Sequence, residues 1–423
     1  MIKGRLNAKA MANKIRVYFM QRGSNAEDAN LPVKVYRRLA DEINFSTGMC
    51  GDAPGAWTEY IDNQCMDDPR VSLVFEGKLP YENSFCSYMD ADVSYGHTYL
   101  YWVVSETENL KIGPVACKLR DPEVWWGYER TVREMEKLAA DYPDLVQIGQ
   151  YGASTRHRPI YGLKIGSGEK SIVLAGAIHA SEPGPELLTK ALRFILAEHS
   201  DKLSQINLAV MPVVNVDVRE ETIEGEPFYL RKNPNGVDLN RNFPWKWKQE
   251  YVYGYDNADP DASTYHGPYA ASECETQAAI EFVRSVKNVA AVLVYDSSSV
   301  ITEDWLLMDS FPEDADYALN NEIANVYSQA FRADHPGCGT FTAPPMHYPL
   351  AQMECFEGTG QPHGTFEGWA HEQYGVPAYS LQAAGSKEGS CNSDDQVSLE
   401  LLEQWSRRHA WAILALMDRL TRE

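Results

Sequence analysis

The 423-residue sequence lacks any run of apolar residues approaching the roughly 20 that a membrane-spanning helix needs, so a membrane is not an expected partner. Residues 1–5 are basic, but residues 6–10 are too polar for the apolar region of a secretory signal. These absences predict a cytoplasmic protein, or a secreted one if a leader was removed.

The sequence also lacks a cysteine motif: its eight cysteines are scattered, and none forms a C-x-x-C pair. The sequence therefore indicates neither a zinc ribbon nor a disulfide framework. Cys50, Cys65 and Cys86 could pair in an exported protein, but reduced thiols are the favoured expectation.

Positive charge is in deficit, with 38 Lys and Arg against 60 Asp and Glu and a net charge of -22. A phosphate backbone would be repelled, which argues against nucleic acid as a general partner. A local arginine pocket can still bind a carboxylate at short range. The hydrophobic content of 44% predicts a globular protein, and the length allows two domains or one large domain with a smaller appendage.

The first domain is predicted over residues 1–118, where short strands alternate with turn signals, as at residues 14–20, 33–37 and 95–104. This pattern favours an all-β sandwich. The pattern Asp92-x-x-x-Gly96-x-x-Tyr99-x-Tyr101-x-Val103, followed by Gly113-Pro114, resembles the end of a fibronectin type III domain. The resemblance implies that Tyr99 bonds back to the preceding turn.

The second domain is predicted over residues 122–423, where helical patterns separate short apolar runs at residues 171–176, 206–211, 289–294 and 376–381. Such runs are typical of strands buried on both faces, and the alternation predicts an α/β fold. Pro183 and Pro185 suit the first turn of a helix, and Ser272 with Glu275 predicts a capping box.

Three polar residues follow or end predicted strands: His179, Asp296 and Gln382. Ligands bind at that edge of an open α/β sheet. His179 and Glu182 form an H-x-x-E pair that can chelate one Zn²⁺ through an imidazole nitrogen and a carboxylate oxygen. A satisfied turn histidine is the alternative, but the position between a buried strand and a Pro-started helix favours the metal.

Several segments together resemble the carboxypeptidase A-like zinc metallocarboxypeptidases, and the resemblance covers about residues 122–423. The segments are Arg158-Pro159-Ile160-Tyr161, Ala175-Gly176-Ala177-Ile178-His179-Ala180-Ser181-Glu182, Leu230-Arg231-Lys232-Asn233, Gly236-Val237-Asp238-Leu239-Asn240-Arg241-Asn242-Phe243, Tyr265-His266-Gly267-Pro268, Ser272-Glu273-Cys274-Glu275-Thr276 and Gly364-Thr365-Phe366-Glu367-Gly368-Trp369. The Asn-Arg segment is the most specific of them. The resemblance implies a doubly wound α/β domain with a mixed sheet.

The resemblance also implies roles for individual residues. His179 and Glu182 would be ligands of one Zn²⁺, and Arg231 would polarise the scissile carbonyl and stabilise its oxyanion. Asn240 and Arg241 would hold the terminal carboxylate of the substrate, since a guanidinium offers a fixed fork and an amide adds a directional donor. A surface ion pair is the alternative interpretation for both arginines.

Two positions depart from the family pattern. Asp296 stands where the family has a histidine as third metal ligand, which makes a harder and more anionic site. Gln382 stands where the family has its glutamate base. An amide cannot accept a proton from an attacking water, so a contribution of about 10²–10⁴-fold is lost, although Gln382 can still orient water or substrate.

A further repeat offers a substitute base or ligand. His363, Glu367 and His371 recur every four residues and would share one face of a helix. Solvated or capping side chains are the other interpretation of this repeat.

The sequence predicts a metallocarboxypeptidase-like hydrolase that acts on the C-terminal end of a peptide or amino-acid conjugate with a free carboxylate. The residues at positions 296 and 382 favour weakened or absent activity. The alternatives are a pseudo-enzyme that binds a carboxylate without hydrolysis, and a variant engineered to be inactive.

Overall fold

The chain forms two compact units in a computed structural model. The structure describes residues 2–21, 32–41, 64–227, 230–247, 251–252, 255–296, 305–308, 315–338, 363–382 and 398–422. The first unit extends to Trp125 and also includes residues 221–227, and the second unit contains the remaining described residues. None of the described helices combines the length and apolar character needed to cross a membrane. Cys50 lies outside the described residues.

The first unit contains two antiparallel sheets of four strands each. The strands are β1 (Ile2–Met11), β2 (Lys14–Gln21), β3 (Pro32–Leu39), β4 (Ser72–Lys78), β5 (Tyr81–Glu82), β6 (Phe85–Asp90), β7 (Thr98–Ser105) and β8 (Leu110–Lys118). One sheet has the order β1-β2-β6-β5 and the other has the order β4-β3-β7-β8. The N-terminal region is therefore an all-β unit.

The core of this unit lies between its two sheets. Ile15 and Val17 alternate along β2 with less buried neighbours, as Val33 and Val35 do along β3, because successive side chains of a strand point to opposite faces. These residues share one hydrophobic cluster with Tyr101 of β7. The two sheets thus pack face to face.

Tyr99 ties strand β7 to the turn before it. Its side chain is 7% exposed, and its hydroxyl oxygen accepts a hydrogen bond from the backbone N–H of Ser94 at 3.0 Å. This contact is the one that the sequence resemblance implied for the tyrosine.

The second unit is built on a seven-stranded mixed sheet with the order β16-β17-β15-β11-β12-β10-β9. Its strands are β9 (Val146–Ala153), β10 (Pro159–Ile165), β11 (Lys170–Gly176), β12 (Ile206–Met211), β15 (Val289–Asp296), β16 (Trp305–Met308) and β17 (Ala378–Gln382), and β13 (Tyr251–Val252) pairs separately with β14 (Tyr255–Asp256). The central strands β17, β15, β11 and β12 run parallel, and the outer pairs are antiparallel. The predicted α/β fold with a mixed sheet is confirmed.

Helices cover both faces of this sheet. The helices are α1 (Tyr128–Asp141), α2 (Gly184–Glu198), α3 (Val216–Ile223), α4 (Cys274–Arg284), α5 (Tyr317–Arg332), α6 (Phe366–Tyr374) and α7 (Leu399–Thr421). Val173 of β11 shares a core cluster with residues of α4 and α6, whereas its buried neighbours Ile172 and Leu174 point to the opposite face. There α2 contacts β11, and α7 packs against α2 and α5.

The capping box expected before α4 is wrong. The helix begins after Glu273, which makes no side-chain cap, and the hydroxyl of Ser272 donates instead to the Glu273 carboxylate at 2.6 Å. The carboxylate of Glu275 accepts a hydrogen bond from the backbone N–H of Thr155 at 2.8 Å. Glu275, which the local pattern assigned to the cap, is therefore hydrogen-bonded to Thr155, 120 positions away.

Candidate metal and carboxylate site

The ends of three neighbouring parallel strands bring the predicted site residues to one edge of the sheet. Strands β17, β15 and β11 are adjacent, and Asp296, the last residue of β15, is the register partner of Gln382, the last residue of β17. His179 follows three residues after the end of β11. The carboxyl edge of an open α/β sheet is where ligands bind, so the topology supplies the location of the site.

A close backbone approach fixes the turn that carries His179 and Glu182. Helix α2 begins so near the end of β11 that a side-chain carbon on Gly184 would lie 2.7 Å from the Cα of Gly176. Only a residue without a side chain fits there. The chain consequently turns from strand to helix within a few residues, and both side chains point to the same place.

His179, Glu182 and Asp296 converge in a buried cluster whose ligand atoms all lie within 4.8 Å of one another. The Nδ1 atom of His179 is 2.9 Å from Oε1 of Glu182 and 3.0 Å from Oδ1 of Asp296. The exposed fractions of the three residues are 0%, 0% and 7%. The cluster offers one nitrogen and two oxygen donors to a single point.

Asp238 holds the other nitrogen of His179. Its Oδ1 atom lies 3.0 Å from Nε2 of the imidazole, which leaves Nδ1 directed at the cluster. Burial by itself raises the pKa of Asp238, but Arg231, His179 and Arg241 outweigh it and hold the pKa below its usual range. Asp238 is therefore an ionised hydrogen-bond acceptor of the kind that orients metal-binding histidines.

The donor set fits one divalent cation such as zinc. Two ligands held at about 2.0–2.2 Å from one zinc ion in tetrahedral geometry lie roughly 3.3 Å apart, close to the contacts that His179 makes here. Burial, and then the neighbouring charge of Asp296, raise the pKa of Glu182 to about 8. Crowded buried carboxylates of this kind are what a cation stabilises.

Arg231 contacts a residue of the candidate site and is largely shielded from solvent. Its Nε and one terminal nitrogen both lie 2.7 Å from Oδ2 of Asp238, and its side chain is 14% exposed. The carboxylate that orients His179 thus also fixes Arg231. Because this pair is largely buried, the interpretation of Arg231 as a surface ion pair is wrong.

Asn240 and Arg241 lie in the 3₁₀ turn Leu239–Arg241 and are 2% and 9% exposed. The side-chain oxygen of Asn240 accepts a hydrogen bond from the backbone N–H of Phe366 at 2.8 Å, which attaches the turn to the start of α6. Arg241 donates from Nη1 to the backbone oxygen of Asn240 at 2.6 Å, and its buried Nε has no hydrogen-bond partner among the described residues. Arg241 is a buried guanidinium and not a surface group.

Gln382 is placed by its backbone alone. It pairs with Asp296 on one side and with Trp305 of β16 on the other. Its side chain lies outside what the structure describes. Positions 296 and 382 are therefore direct neighbours across two paired strands.

The repeat of His363, Glu367 and His371 does not form a single site. His371 Nδ1 lies 2.8 Å from the backbone oxygen of Val376, and its Nε2 lies 2.9 Å from Asp316. Glu367 is 7% exposed and close enough to Asp296 and Arg241 to feel their charges. Burial and the charges of Lys246 and Arg241 lower the pKa of His363 to about 4.

Sequence reasoning gave Asp238 no role, although the residue stood inside the Asn-Arg segment. Its position just before the Leu239–Arg241 turn could have indicated a cap for that turn. In the structure its carboxylate accepts a hydrogen bond from the backbone N–H of Asn240 at 3.0 Å. Asp238 consequently links the metal cluster to the turn that carries Arg241.

Fold and site together define a metallopeptidase-type α/β protein with a cluster of possible metal ligands and a buried arginine. The family pattern of the zinc carboxypeptidases matches residues 131–405, and the chain belongs to that family. Zinc is the cofactor of this family.

Curated relatives are similar over part of the chain. Mast cell carboxypeptidase A from Rattus norvegicus is 31% identical over 191 residues, which cover 41% of this chain and 45% of the relative. Carboxypeptidase B from Astacus astacus is 27% identical over 219 residues, covering 45% of this chain and 71% of the relative. The chain spans less than half the length of the first relatives that it matches.

Solved structures share the fold. Bovine thrombin-activatable fibrinolysis inhibitor, in complex with tick carboxypeptidase inhibitor, superimposes with a TM-score of 0.58 at 19% identity, covering 71% of this chain and 98% of that chain. A candidate carboxypeptidase A from Shewanella denitrificans gives a TM-score of 0.52 at 14% identity and covers 98% of this chain and 99% of that chain. At these identities the likeness extends to the fold alone.

Proposed function

We propose that this chain is a metal-dependent, carboxypeptidase-like hydrolase that acts on the C-terminal end of a peptide or amino-acid conjugate. One observation carries the proposal: Asp238 contacts His179 of the metal cluster, Arg231, and the backbone N–H of Asn240. A single buried carboxylate thereby sets the distance between a cation and the arginine turn. That arrangement suits a substrate whose reacting carbonyl lies next to a terminal carboxylate.

The residues divide the work according to their chemistry. His179, Glu182 and Asp296 would hold one Zn²⁺, which when bound supplies a Lewis acid. Arg231 would donate to the developing oxyanion from the position that Asp238 fixes. Arg241 would bind the terminal carboxylate, with Asn240 beside it. Gln382 would orient water or substrate, since an amide is not a base at neutral pH.

A second candidate function is a non-catalytic carboxylate-binding protein. Asp296 and Gln382 favour it, because the two departures fall on the metal ligand and on the family's base position while the arginine turn is retained. Binding of a chain end needs Arg241 and its neighbours but needs no proton acceptor. Both candidate functions therefore require binding of the substrate's terminal carboxylate, and only the first also requires hydrolysis.

We further infer that the first unit is fibronectin type III-like and that the domains correspond to residues 1–118 and 122–423. The hydrogen bond from Ser94 to Tyr99 and the two packed antiparallel sheets support this assignment.

The proposal is tested on the purified chain by metal analysis and calorimetry with a matched pair of peptides. One peptide ends in a free carboxylate and the other ends in an amide. We expect about one zinc ion per chain and tighter binding of the free acid, with slow release of the terminal residue. Absence of both zinc and peptide binding would refute the proposal, whereas binding without any turnover would select the pseudo-enzyme.

Arg241→Gln is the matched variant for the recognition half of this experiment. It removes the guanidinium but keeps a polar side chain of similar length, so binding of the free acid should approach that of the amide. Arg419→Gln is the control, because Arg419 pairs with Glu322 on helix α5 and lies in the last turns of α7. Equal binding losses in both variants would argue against a carboxylate site at Arg241.

A further inference from the structure

Arg219 lies on α3 and carries a buried positive charge to which the proposed chemistry assigns no role. Its exposed fraction is 0%. Taking a guanidinium out of water costs free energy unless its N–H groups find acceptors. The acceptors of Arg219 therefore indicate what the residue holds in place.

Two of these acceptors are backbone oxygens of the turn that carries the metal cluster. Nη1 of Arg219 donates to the backbone oxygen of Ala180 at 2.9 Å and to that of Glu182 at 2.7 Å. Ala180 directly follows His179, and Glu182 is itself a member of the cluster. The guanidinium thus joins two peptide groups of the turn, one between the two ligands and one just after Glu182.

Two further contacts anchor the guanidinium to other elements. Its Nε donates to the backbone oxygen of Trp126, two residues before α1, at 2.8 Å, and its Nη2 forms a buried ion pair with Glu186 in the first turn of α2. The same carboxylate oxygen of Glu186 accepts the backbone N–H of Trp126 at 2.6 Å. Arg219 is consequently fixed from several sides, and the turn can be positioned against it.

The backbone that leads into the turn is strained. Ala177 is fully buried and has a φ of +44°, in the left-handed region that favours glycine. Such a conformation persists only where the surrounding contacts enforce it. The backbone N–H of Asn215, the residue before α3, donates to the oxygen of Ala177 at 3.0 Å. Residues 215–219 therefore hold the segment 177–182 at three backbone oxygens, and the Arg219 side chain supplies two of these contacts.

The ion pair with Glu186 does not by itself account for a buried arginine. Burial raises the pKa of Glu186 even though Arg219 is its partner, so the pair does not recover the full cost of leaving water. Apolar side chains of similar volume often replace such pairs without loss of stability. An apolar side chain could not donate to the oxygens of Ala180 and Glu182, and those two contacts are what the arginine adds.

We propose that Arg219 is a positioning residue of the metal cluster, and that it sets the orientation of the His179–Glu182 turn through the backbone oxygens of Ala180 and Glu182. The inference rests on the proposed function, because it concerns the cation that this cluster would hold. Arg219 acts through the backbone and so places two ligands at once, whereas Asp296 reaches the cluster from a separate strand.

The test measures the zinc affinity of the full chain by competition with a chelator. Arg219→Met keeps an unbranched stem but removes every N–H donor, and zinc affinity should fall by roughly 10- to 100-fold, the usual effect of losing a group that orients metal ligands. Arg219→Lys keeps the charge without the planar fork, so its zinc affinity should lie between those of the wild type and Arg219→Met. Cobalt(II) bound in place of zinc has visible absorption bands that depend on ligand geometry, and these bands should change in Arg219→Met.

Arg408→Met is the matched control for a loss of stability. Arg408 is 2% exposed and also donates to backbone oxygens, those of Phe331, Ala333 and Cys338, at 2.9, 3.1 and 3.1 Å. None of these residues belongs to the metal cluster. Both arginine variants should unfold at a lower temperature, but only Arg219→Met should lose zinc affinity.

Glu186→Gln separates the ion pair from the backbone contacts. Alone, it leaves the donors of Arg219 on the turn, so zinc affinity should stay close to that of the wild type. Combined with Arg219→Met, it removes the unpaired buried carboxylate, and the unfolding temperature should recover while zinc affinity stays low. Recovery of zinc affinity together with stability would show that Arg219 acts through stability alone, and would overturn the inference.

The remaining outcomes separate this inference from the proposed function. A wild-type chain that binds no zinc overturns the metal-dependent function, and the inference with it. Equal zinc affinity in the wild type and Arg219→Met overturns the inference alone, as would equal losses in Arg219→Met and Arg408→Met. If Arg219→Met does not fold, Arg219→Lys and the double variant supply the same comparison.

Discussion

The candidate site has two halves that are assembled in different ways. The metal half is the cluster of His179, Glu182 and Asp296, and the carboxylate half is the turn of Asn240 and Arg241. The carboxylate half consists of two loops that hydrogen-bond to each other, around Arg241 and Gly364. The metal half is assembled from the ends of parallel strands that are far apart in sequence. Asp296 and Gln382, where the sequence resemblance implies a histidine and a glutamate, are register partners at the ends of two paired strands. The proposed function therefore predicts that recognition and bond cleavage can be altered separately.

The largest expected effect comes from restoring the metal half. Asp296→His and Gln382→Glu together introduce the ligand and the base that the sequence resemblance implies, and turnover of a free-acid peptide should rise by about 10²–10⁴-fold. Single variants should give much less, because the ligand and the base act as a unit. Steady-state kinetics at saturating zinc measures the gain. Robust turnover in the unmodified chain, with no gain in the double variant, would contradict this view of the metal half.

Burial of Glu367 near Arg241 should make the free energy of unfolding depend on pH. The pKa of Glu367 is raised by burial from 4.5 to about 7 in the folded chain, so between these values the folded state binds more protons than the unfolded state. The stabilising contribution is complete below pH 4.5 and is lost as the pH rises through about 7. The free energy of unfolding, relative to Glu367→Gln, should fall across this window by a quantity on the order of 3 kcal/mol.

Urea unfolding of the metal-free protein at a series of pH values measures this difference. The metal-free form keeps the charge of Asp296 beside Glu367, which contributes to the raised pKa. Parallel curves for the wild type and the variant from pH 4.5 to 7 would show that Glu367 is not a buried ionisable group.

Asp238 joins the two halves, and Asp238→Asn should disturb both. The amide cannot accept hydrogen bonds from His179, Arg231 and Asn240 with the strength of a carboxylate. Loss of such an orienting partner lowers metal affinity by about 10–100-fold. Competition with a chelator measures the metal affinity, and calorimetry with the free-acid peptide measures recognition. An effect on the metal alone would show that Asp238 does not couple the halves.

The smallest expected effect lies in the first unit. Tyr99→Phe removes the hydroxyl that accepts the Ser94 N–H and should lower the free energy of unfolding of that unit by about 1 kcal/mol. Metal content and peptide affinity should stay unchanged, since Tyr99 belongs to the unit without the candidate site. A changed peptide affinity in this variant would mean that the first unit influences recognition.

The sequence predicted the buried strands of the second unit from their runs of apolar residues. Strand β11 is apolar from Ile172 to Gly176, as suits a sheet with helices on both faces, and the apolar runs in β12, β15 and β17 have the same explanation. Pro185 lies in the first turn of α2, where a proline needs no backbone N–H partner, and Pro183 is the residue before the helix. The capping box at Ser272 failed because Thr155 competes for Glu275.

The site was predicted as a set of residues and not as a set of contacts. The fourfold spacing from His363 to His371 suggested one helical face, but the helix begins only after Thr365, so His363 lies before it and His371 lies near its end. The pairing of Asp238 with His179 joins residues 59 positions apart. Local spacing carries no information about such contacts.

The sequence by itself determined the fold class, the family and the chemical types at the site, because apolar periodicity and residue identity are local properties. It also established that position 296 carries a carboxylate and position 382 an amide. Only the tertiary structure decided that these two positions face each other, that Asp238 contacts His179, and that Glu367 is buried near Arg241. Those facts depend on strand register and loop pairing, which arise when distant segments compete for the same hydrogen-bond partners.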